Sequence, residues 1–254
     1  MSTKIAAMTL ALGFALASTA PALALTAEEQ QEVQIGQQEY AQLQQQGKIV
    51  TSSPYYARLN PIAARISRVA NGKYFTPFHF ILVNDSQPNA FAVPGGNVYV
   101  TTSMMTFAKN QEELAGVLCH ETSHDIHHDV MNLQPKMTTI GIIGGLLGVL
   151  TRNSQLAQLA INLGATAEEG NFSRQVESNA DRTGAYTCAA AGYDPYGMVW
   201  LFQRFLQAGN SGTFEALSDH PRDDHRISDL ETLFRSDPAT FGRFNPNVST
   251  AHPL

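Results

Sequence analysis

Apolar residues recur every three or four positions along two stretches that follow residue 25. The first stretch, residues 26–50, is rich in glutamine, and the second runs from Pro54 to Ala70. This spacing collects the apolar side chains on one face of a helix. It predicts an exposed amphipathic helix and then a second helix that Asn71-Gly72 ends, so that residues 26–71 form a helical N-terminal part.

The pattern then changes to short, dense apolar runs. FHFILV (78–83) and NVYVT (97–101) are rich in β-branched and aromatic residues, which favour strands. The segment between them carries Asn, Asp, Pro and Gly and is typical of a loop. We therefore predict a small sheet within residues 75–102.

Helical patterns return after the sheet and account for most of the remaining chain. Together with the short sheet they predict a mostly helical α+β protein with one domain over residues 25–241. The predicted segments are a helix over 110–132, a helix over 173–191, C-terminal helices over 195–235 and a loosely ordered tail over 242–254.

A glycine-rich, uncharged stretch over residues 138–150 lies between these helices. Its length is short for a membrane span. We predict a buried apolar helical hairpin over 137–166. The alternative is a segment that faces a membrane or covers the functional site, which would make peripheral membrane contact through 138–150.

Composition bounds the class of protein. The chain has 254 residues, 43% of them hydrophobic, and a formal net charge of −6. This composition suits a globular protein with a sizeable core, and the negative charge leads us to expect no nucleic-acid partner.

The N-terminus has the pattern of an export signal. Lys4 precedes an apolar run from Ile5 to Ala17, and Ala22-Leu23-Ala24 follows. This order predicts a signal peptide over residues 1–24 that is cleaved near Ala24, and hence a periplasmic or secreted protein. A short N-terminal anchor is the alternative.

HETSHDIHHD, residues 120–129, holds four of the eight histidines. His120 and His124 lie four residues apart, so a helix presents both rings on one side. Glu121 lies about 100° round the helix, where it can act on a water molecule without binding the metal. This H-E-x-x-H pattern predicts two zinc ligands and a general base. We expect His127 and His128 to lie outside the ligand set.

A catalytic zinc site needs a third protein ligand. Glu177 and Asp181 lie four residues apart within the predicted helix over 173–191. We predict that Glu177 binds the metal and that Asp181 accepts the free N–H of a ligand histidine. A solvated acidic face is the alternative for this pair.

His220 and Arg226 lie in DHPRDDHRI, residues 219–227, before the last predicted helix. A loop imidazole can be a fourth metal ligand or, with a guanidinium, can stabilise developing negative charge. An Asp219 helix cap and a surface ion pair of Arg226 explain the same residues equally well.

The two cysteines are predicted to be buried free thiols. Cys119 is adjacent to His120, and Cys188 follows Glu177 by eleven residues, roughly 16 Å along a helix. If Glu177 reaches the same metal as His120, this separation is too large for a disulfide.

Four segments in this order resemble the HtpX-type metallopeptidases, a family that includes the CAAX prenyl endopeptidases and BepA-like periplasmic proteases. They are NAFAVPGGNVYVT (89–101), HETSH (120–124), SRQVESNAD with AGYDP (173–181 and 191–195), and HPRDDHRI (220–227). Ser123 and Asn179 depart from the family, which usually has Gly and an acidic residue there. The chain resembles a BepA-like member without a tetratricopeptide array.

The resemblance implies a gluzincin fold with a small mixed β-sheet above the active-site helix and one zinc per chain. It implies that His120, His124 and Glu177 bind the zinc, that Glu121 is the base, and that Asp181 supports a ligand. By the same resemblance His220 is a switchable metal contact, and Arg226 stabilises the transition state.

These residues predict an exported zinc endopeptidase that cuts unfolded or extended polypeptides, and the resemblance implies a role in envelope protein quality control. NVYVT is expected to form the sheet edge that pairs with substrate. The oligomeric state is left open. A zinc-stabilised binding or chaperone-like protein, with the metal closed off by His220, is the alternative, and a protease resting in that closed state combines the two. The substrate-binding candidates are Asn89, Ala90, Asn97, Val98, Tyr99 and Val100.

Overall fold

The computed structural model describes residues 24–132, 173–210 and 224–254. The described helices carry a mixed three-stranded sheet, and the predicted mostly helical α+β class is confirmed. The elements are α1 (Ala27–Gln45), α2 (Tyr56–Ala70), β1 (His79–Val83), β2 (Ala90–Val93), β3 (Asn97–Thr101), α3 (Met104–Phe107), α4 (Gln111–Ile126), α5 (Asp129–Asn132), α6 (Arg174–Ala191), α7 (Tyr196–Asn210), α8 (Asp224–Ser236), α9 (Pro238–Phe241) and a 3-10 turn (Val248–Thr250).

The sheet corrects two predictions. Its order is β1-β3-β2, with β3 parallel to β1 and antiparallel to β2. The segment predicted as a loop therefore contains strand β2, whose four residues are all buried and show no alternation of polar and apolar side chains. The prediction that NVYVT forms the sheet edge is wrong, because β3 is the central strand.

Helices cover both faces of the sheet. The side chains of a strand alternate between faces, so Val83 and Tyr99 pack with Ile35 and Leu43 of α1. Leu82, Val98 and Val100 point the other way, into a larger core that α2 and α4 share. This arrangement fixes α4, which is buried from Glu112 to Asp125, beneath the sheet.

Helix α6 crosses α4 at a glycine. A Cβ atom at Gly184 would lie 3.1 Å from the backbone N and Cα of His120, so any larger residue would push the two helices slightly apart. Cys188 is one turn beyond Gly184 and therefore lies beside Cys119, with 5.8 Å between the two Cα atoms and a disulfide joining them. The free-thiol prediction is wrong because it measured the distance from Glu177, whereas the helices meet at Gly184.

The C-terminal tail is fixed to the rest of the fold, so the prediction of a loose tail is wrong. Trp200 donates its indole N–H to the Pro246 carbonyl at 3.0 Å. The backbone N–H of Gln111 donates to the His252 carbonyl at 2.9 Å, next to an antiparallel bridge between Asn110 and Pro253. These contacts join the tail to α7 and to the start of α4, the helix that carries HETSH.

Three predictions fall outside the described residues. They concern the signal peptide, of which residues 1–23 are not described, the hairpin over 137–166 with its stretch 138–150, and His220. Within the described ranges, none of the helices has the length and apolar character needed to cross a membrane.

Candidate metal centre

Helix α4 holds the first two candidate ligands rigidly. The Asn110 side chain caps the helix by accepting the Glu113 backbone N–H at 2.7 Å. One turn apart within the buried stretch, His120 and His124 are 4% and 1% exposed. Their Nε2 atoms lie 3.1 Å apart, so both rings converge on one point, as the i, i+4 spacing requires.

Glu177 of α6 completes a triangle of donor atoms. Its carboxylate lies 3.5 Å from His120 Nε2 and 3.8 Å from His124 Nε2. Tetrahedral zinc with bonds of about 2.0–2.1 Å separates neighbouring donors by roughly 3.3–3.4 Å. Two imidazole nitrogens and a carboxylate at these separations therefore fit zinc. Among the His, Cys, Asp and Glu side chains of the described residues, these three are the only group close enough together to hold a metal ion.

Each histidine is oriented by a carboxylate on its other nitrogen. His120 Nδ1 lies 3.0 Å from Asp181, and His124 Nδ1 lies 2.8 Å from Asp129. Such contacts leave Nε2 of each ring directed at the metal position. The sequence reasoning named Asp181 but missed Asp129, although an aspartate five residues after the second histidine of HETSH was a readable signal.

Arg226 is buried against the carboxylates of the site. Its guanidinium forms two hydrogen bonds with Asp181, at 2.6 and 2.7 Å, and an ion pair of 2.8 Å with Glu177. It also stacks on the ring of Phe202 at 4.3 Å. In this arrangement Arg226 fixes two carboxylates of the site, one of them a candidate ligand.

These pairings set the charge of the supporting carboxylates. Burial acts to raise the pKa of Asp181, but the Arg226 charge and hydrogen bonds outweigh it and hold that pKa below its usual value. Burial likewise opposes ionisation of Asp129, yet hydrogen bonds from His124 and His127 keep its pKa low. Both groups are therefore carboxylates at neutral pH and can accept an imidazole N–H.

Glu121 lies between the ligand triangle and the sheet. It is 1% exposed, and its Oε2 accepts the backbone N–H of Ala92 at 3.1 Å. Because that amide points away from β3, alternation directs the main-chain groups of Ala90 to the same outer edge of β2. The candidate base and the edge of β2 therefore face one space.

The remaining sequence candidates have different places. Asn89 and Ala90 lie at the start of β2, whereas the candidates from Asn97 to Val100 belong to the central strand, which is paired on both sides. His127 contacts Thr183 at 2.9 Å, and His128 contacts Glu32 at 2.7 Å. Neither histidine belongs to the ligand trio.

Several known proteins resemble this chain. The Beta-barrel assembly-enhancing protease of Escherichia coli is 31% identical over 247 residues, covering 90% of this chain and 50% of that protein. The Yersinia pestis protein of that name is 35% identical over 183 residues, covering 67% and 37%. Mitochondrial metalloendopeptidase OMA1 of Schizosaccharomyces pombe is 31% identical over 153 residues, covering 59% and 44%. The chain thus spans at most about half the length of these relatives.

The family model for Peptidase family M48 matches residues 56–233. That range begins at α2 and includes the sheet, α4 with HETSH and α6 with Glu177. It agrees with the family resemblance carried by the four sequence segments, which is confirmed. The chain therefore belongs to peptidase family M48.

Proposed function

We propose that the protein is a zinc-dependent endopeptidase that hydrolyses peptide bonds in extended polypeptides. The observation that carries this proposal is the position of Glu121. It directly follows His120, one of the three candidate metal ligands, and it contacts the edge of β2. A structural metal site has no need of a carboxylate in that position.

The chemistry divides between the metal and the side chains around it. When bound by His120, His124 and Glu177, zinc supplies Lewis acidity that activates water and polarises a carbonyl. Glu121 accepts the proton of the attacking water and passes it to the nitrogen of the leaving amine. Asp181 and Asp129 hold the imidazole rings in place through both steps.

Arg226 acts in this scheme by positioning. Its ion pairs with Glu177 and Asp181 keep the two carboxylates directed at their partners. The role of transition-state stabiliser, which the family resemblance implies, stays a prediction.

The outer edge of β2 suits an extended substrate. The main-chain groups of Ala90 and the Ala92 carbonyl face away from β3, beside Glu121, which accepts the Ala92 N–H. A polypeptide that adds to this edge bonds through its backbone and passes the candidate base. The preference is therefore for unfolded segments, whose backbone groups are available.

Two observations support an exported protein. Residues 1–24 have the pattern of a cleavable signal. The Cys119–Cys188 disulfide is typical of an oxidising compartment such as the periplasm. Relatives named for β-barrel assembly fit a role in envelope protein quality control.

The test is cleavage of unfolded casein by the purified protein beside a Glu121→Gln variant. We expect the variant and a chelated sample to lose about 10²–10⁴-fold in rate, with zinc restoring only the chelated wild type. Equal cleavage by Glu121→Gln would contradict the assignment of the base. No cleavage by either protein would favour the zinc-stabilised binding protein.

A further inference from the structure

We propose that the outer edge of β1 binds an extended, uncharged stretch of polypeptide at a site separate from the candidate metal centre. Strands β1 and β2 are the opposite edges of the sheet, and Glu121 contacts β2. The proposal concerns binding alone and does not depend on the proposed peptidase activity.

The main chain of β1 has one outward-facing residue whose hydrogen bonds are not made. The His79 N–H donates to Gly96 and the Val83 carbonyl accepts from Thr102, so alternate residues of β1 face β3. Phe80 therefore presents its N–H and C=O on the outer side. Within the described ranges, neither group has a hydrogen-bond partner.

The chain itself already uses the adjoining part of this edge. The Val50 N–H donates to the Leu82 carbonyl at 2.9 Å, and Ile49 forms an antiparallel bridge with Val83. The backbone then turns away after Val50 and enters α2. Strand pairing along this edge thus stops at Leu82, the outward-facing residue next to Phe80. An extended segment of another polypeptide could pair with Phe80 and continue the added strand.

A groove of about 590 Å³ lies over this edge. Its volume is within the ~300–1,000 Å³ of ligand pockets. Tyr40 of α1 forms one wall and the small side chain of Ala64 on α2 lies in the other. Since Ile81 packs with the α1 cluster and Phe80 with the α2 cluster, successive side chains of an added strand would meet these two walls in turn.

The described lining of the groove lacks the charged side chains that usually protect a strand edge. Proteins protect exposed strand edges with charged side chains or proline. Among the described residues that line this groove there is one histidine, His79, and no Asp, Glu, Lys or Arg. The Lys48–Asp85 ion pair lies instead at the end of β1 that the chain already covers. The edge therefore accepts a neutral segment, whose affinity comes from backbone hydrogen bonds and apolar contact.

The probe is a fluorescein-labelled peptide of alternating Thr and Val with blocked ends, titrated by fluorescence anisotropy. The protein is the full chain with Glu121→Gln, which excludes cleavage. Ala64→Arg places a long charged side chain in the groove. The matched control is Ala57→Arg, because Ala57 is exposed two turns earlier on the same helix and does not line the groove. We expect Ala64→Arg to weaken binding at least about tenfold and Ala57→Arg to leave it within about twofold.

Amide hydrogen exchange in the parent protein gives a second readout that needs no groove variant. Added peptide should slow exchange at Phe80. Unchanged exchange there, or equal affinity in the Ala64→Arg and Ala57→Arg proteins, would place the peptide elsewhere and overturn the proposal. A dimer that Ala64→Arg dissociates, with no peptide binding, would assign the edge to a second copy and would also overturn it.

Discussion

Two groups of buried polar side chains differ in how their charges are paired. The ligand-side cluster consists of His120, His124, Asp129, Glu177, Asp181 and Arg226. The α1-side cluster consists of Glu32, Glu39, Tyr74, Tyr99 and Asp125. The first contains a cation that bridges two carboxylates, whereas the second combines three acids and two phenols with His128 at its rim.

Charge pairing explains why the two clusters behave differently. Arg226 keeps the pKa of Asp181 low. Burial and the neighbouring Glu32 raise the pKa of Asp125 well above its usual value, although the Gly96 N–H acts against this. Burial alone raises the pKa of Glu39 to about 8. Carboxylates paired with a cation can therefore support a cation site, whereas burial without a cation raises the pKa of Asp125 and Glu39.

The largest expected effect comes from Arg226→Met. It leaves Asp181 and Glu177 buried without their cation, which costs about 3–5 kcal/mol in the free energy of unfolding. Urea unfolding measures the change. Arg235→Met, on the exposed face of the same helix, is the control and should stay within about 0.5 kcal/mol. Equal losses would show that the ligand-side cluster is not held by this guanidinium.

Removal of the disulfide should have the next largest effect. It closes a loop of 69 residues between Cys119 and Cys188. Replacing both cysteines with alanine should lower the free energy of unfolding by about 2–4 kcal/mol. Wild type unfolded in the presence of a reductant should approach the variant, and no difference between oxidised and reduced wild type would contradict the bond.

Glu39→Gln should change how stability depends on pH. The folded-state pKa of about 8 exceeds the ordinary value of 4.5, so the contribution of Glu39 is full below pH 4.5 and is lost as the pH rises through 8. Without relaxation, the free energy of unfolding would fall by about 1.4 kcal/mol for each pH unit between these two pKa values. Water that enters to solvate the ionised Glu39 makes the fall smaller. We expect the variant to gain about 2 kcal/mol over wild type between pH 5 and pH 8. Glu28→Gln, at an exposed position of α1, should show no such gain.

The smallest effects separate two tyrosines of the α1-side cluster. Tyr74 donates its hydroxyl to Glu32 and accepts the Gly95 N–H at 2.9 Å. The Tyr99 hydroxyl is buried and has no hydrogen-bond partner in the described part of the chain. Tyr74→Phe should therefore cost about 1–2 kcal/mol, whereas Tyr99→Phe should change the free energy of unfolding by less than about 0.5 kcal/mol. Thermal unfolding of both variants checks the contrast, and a larger loss for Tyr99→Phe would contradict it.

Local spacing determined what the sequence could predict. His120 and His124 share a helix face at any tertiary arrangement, and Glu177 with Asp181 repeats the spacing. The boundaries of α2, β1 and β3 followed from periodicity and fall close to those observed.

Properties that depend on how elements meet could not be read in this way. The central position of β3 depends on its parallel pairing with β1, although β2 lies between the two strands in the sequence. The disulfide depends on the crossing at Gly184, which no pattern in α4 or α6 specifies. The sequence identified Arg226 as a candidate. Its ion pairs arise from the packing of α8 on α6, which the sequence pattern does not specify.

The most direct test of the metal centre is the zinc content of the purified protein after gel filtration. Wild type and Glu39→Gln should each retain about one zinc per chain, and Glu177→Gln, which removes a ligand, should retain almost none. A circular dichroism spectrum like that of wild type would confirm that Glu177→Gln is folded. Full zinc retention by folded Glu177→Gln would contradict the assignment of the three ligands.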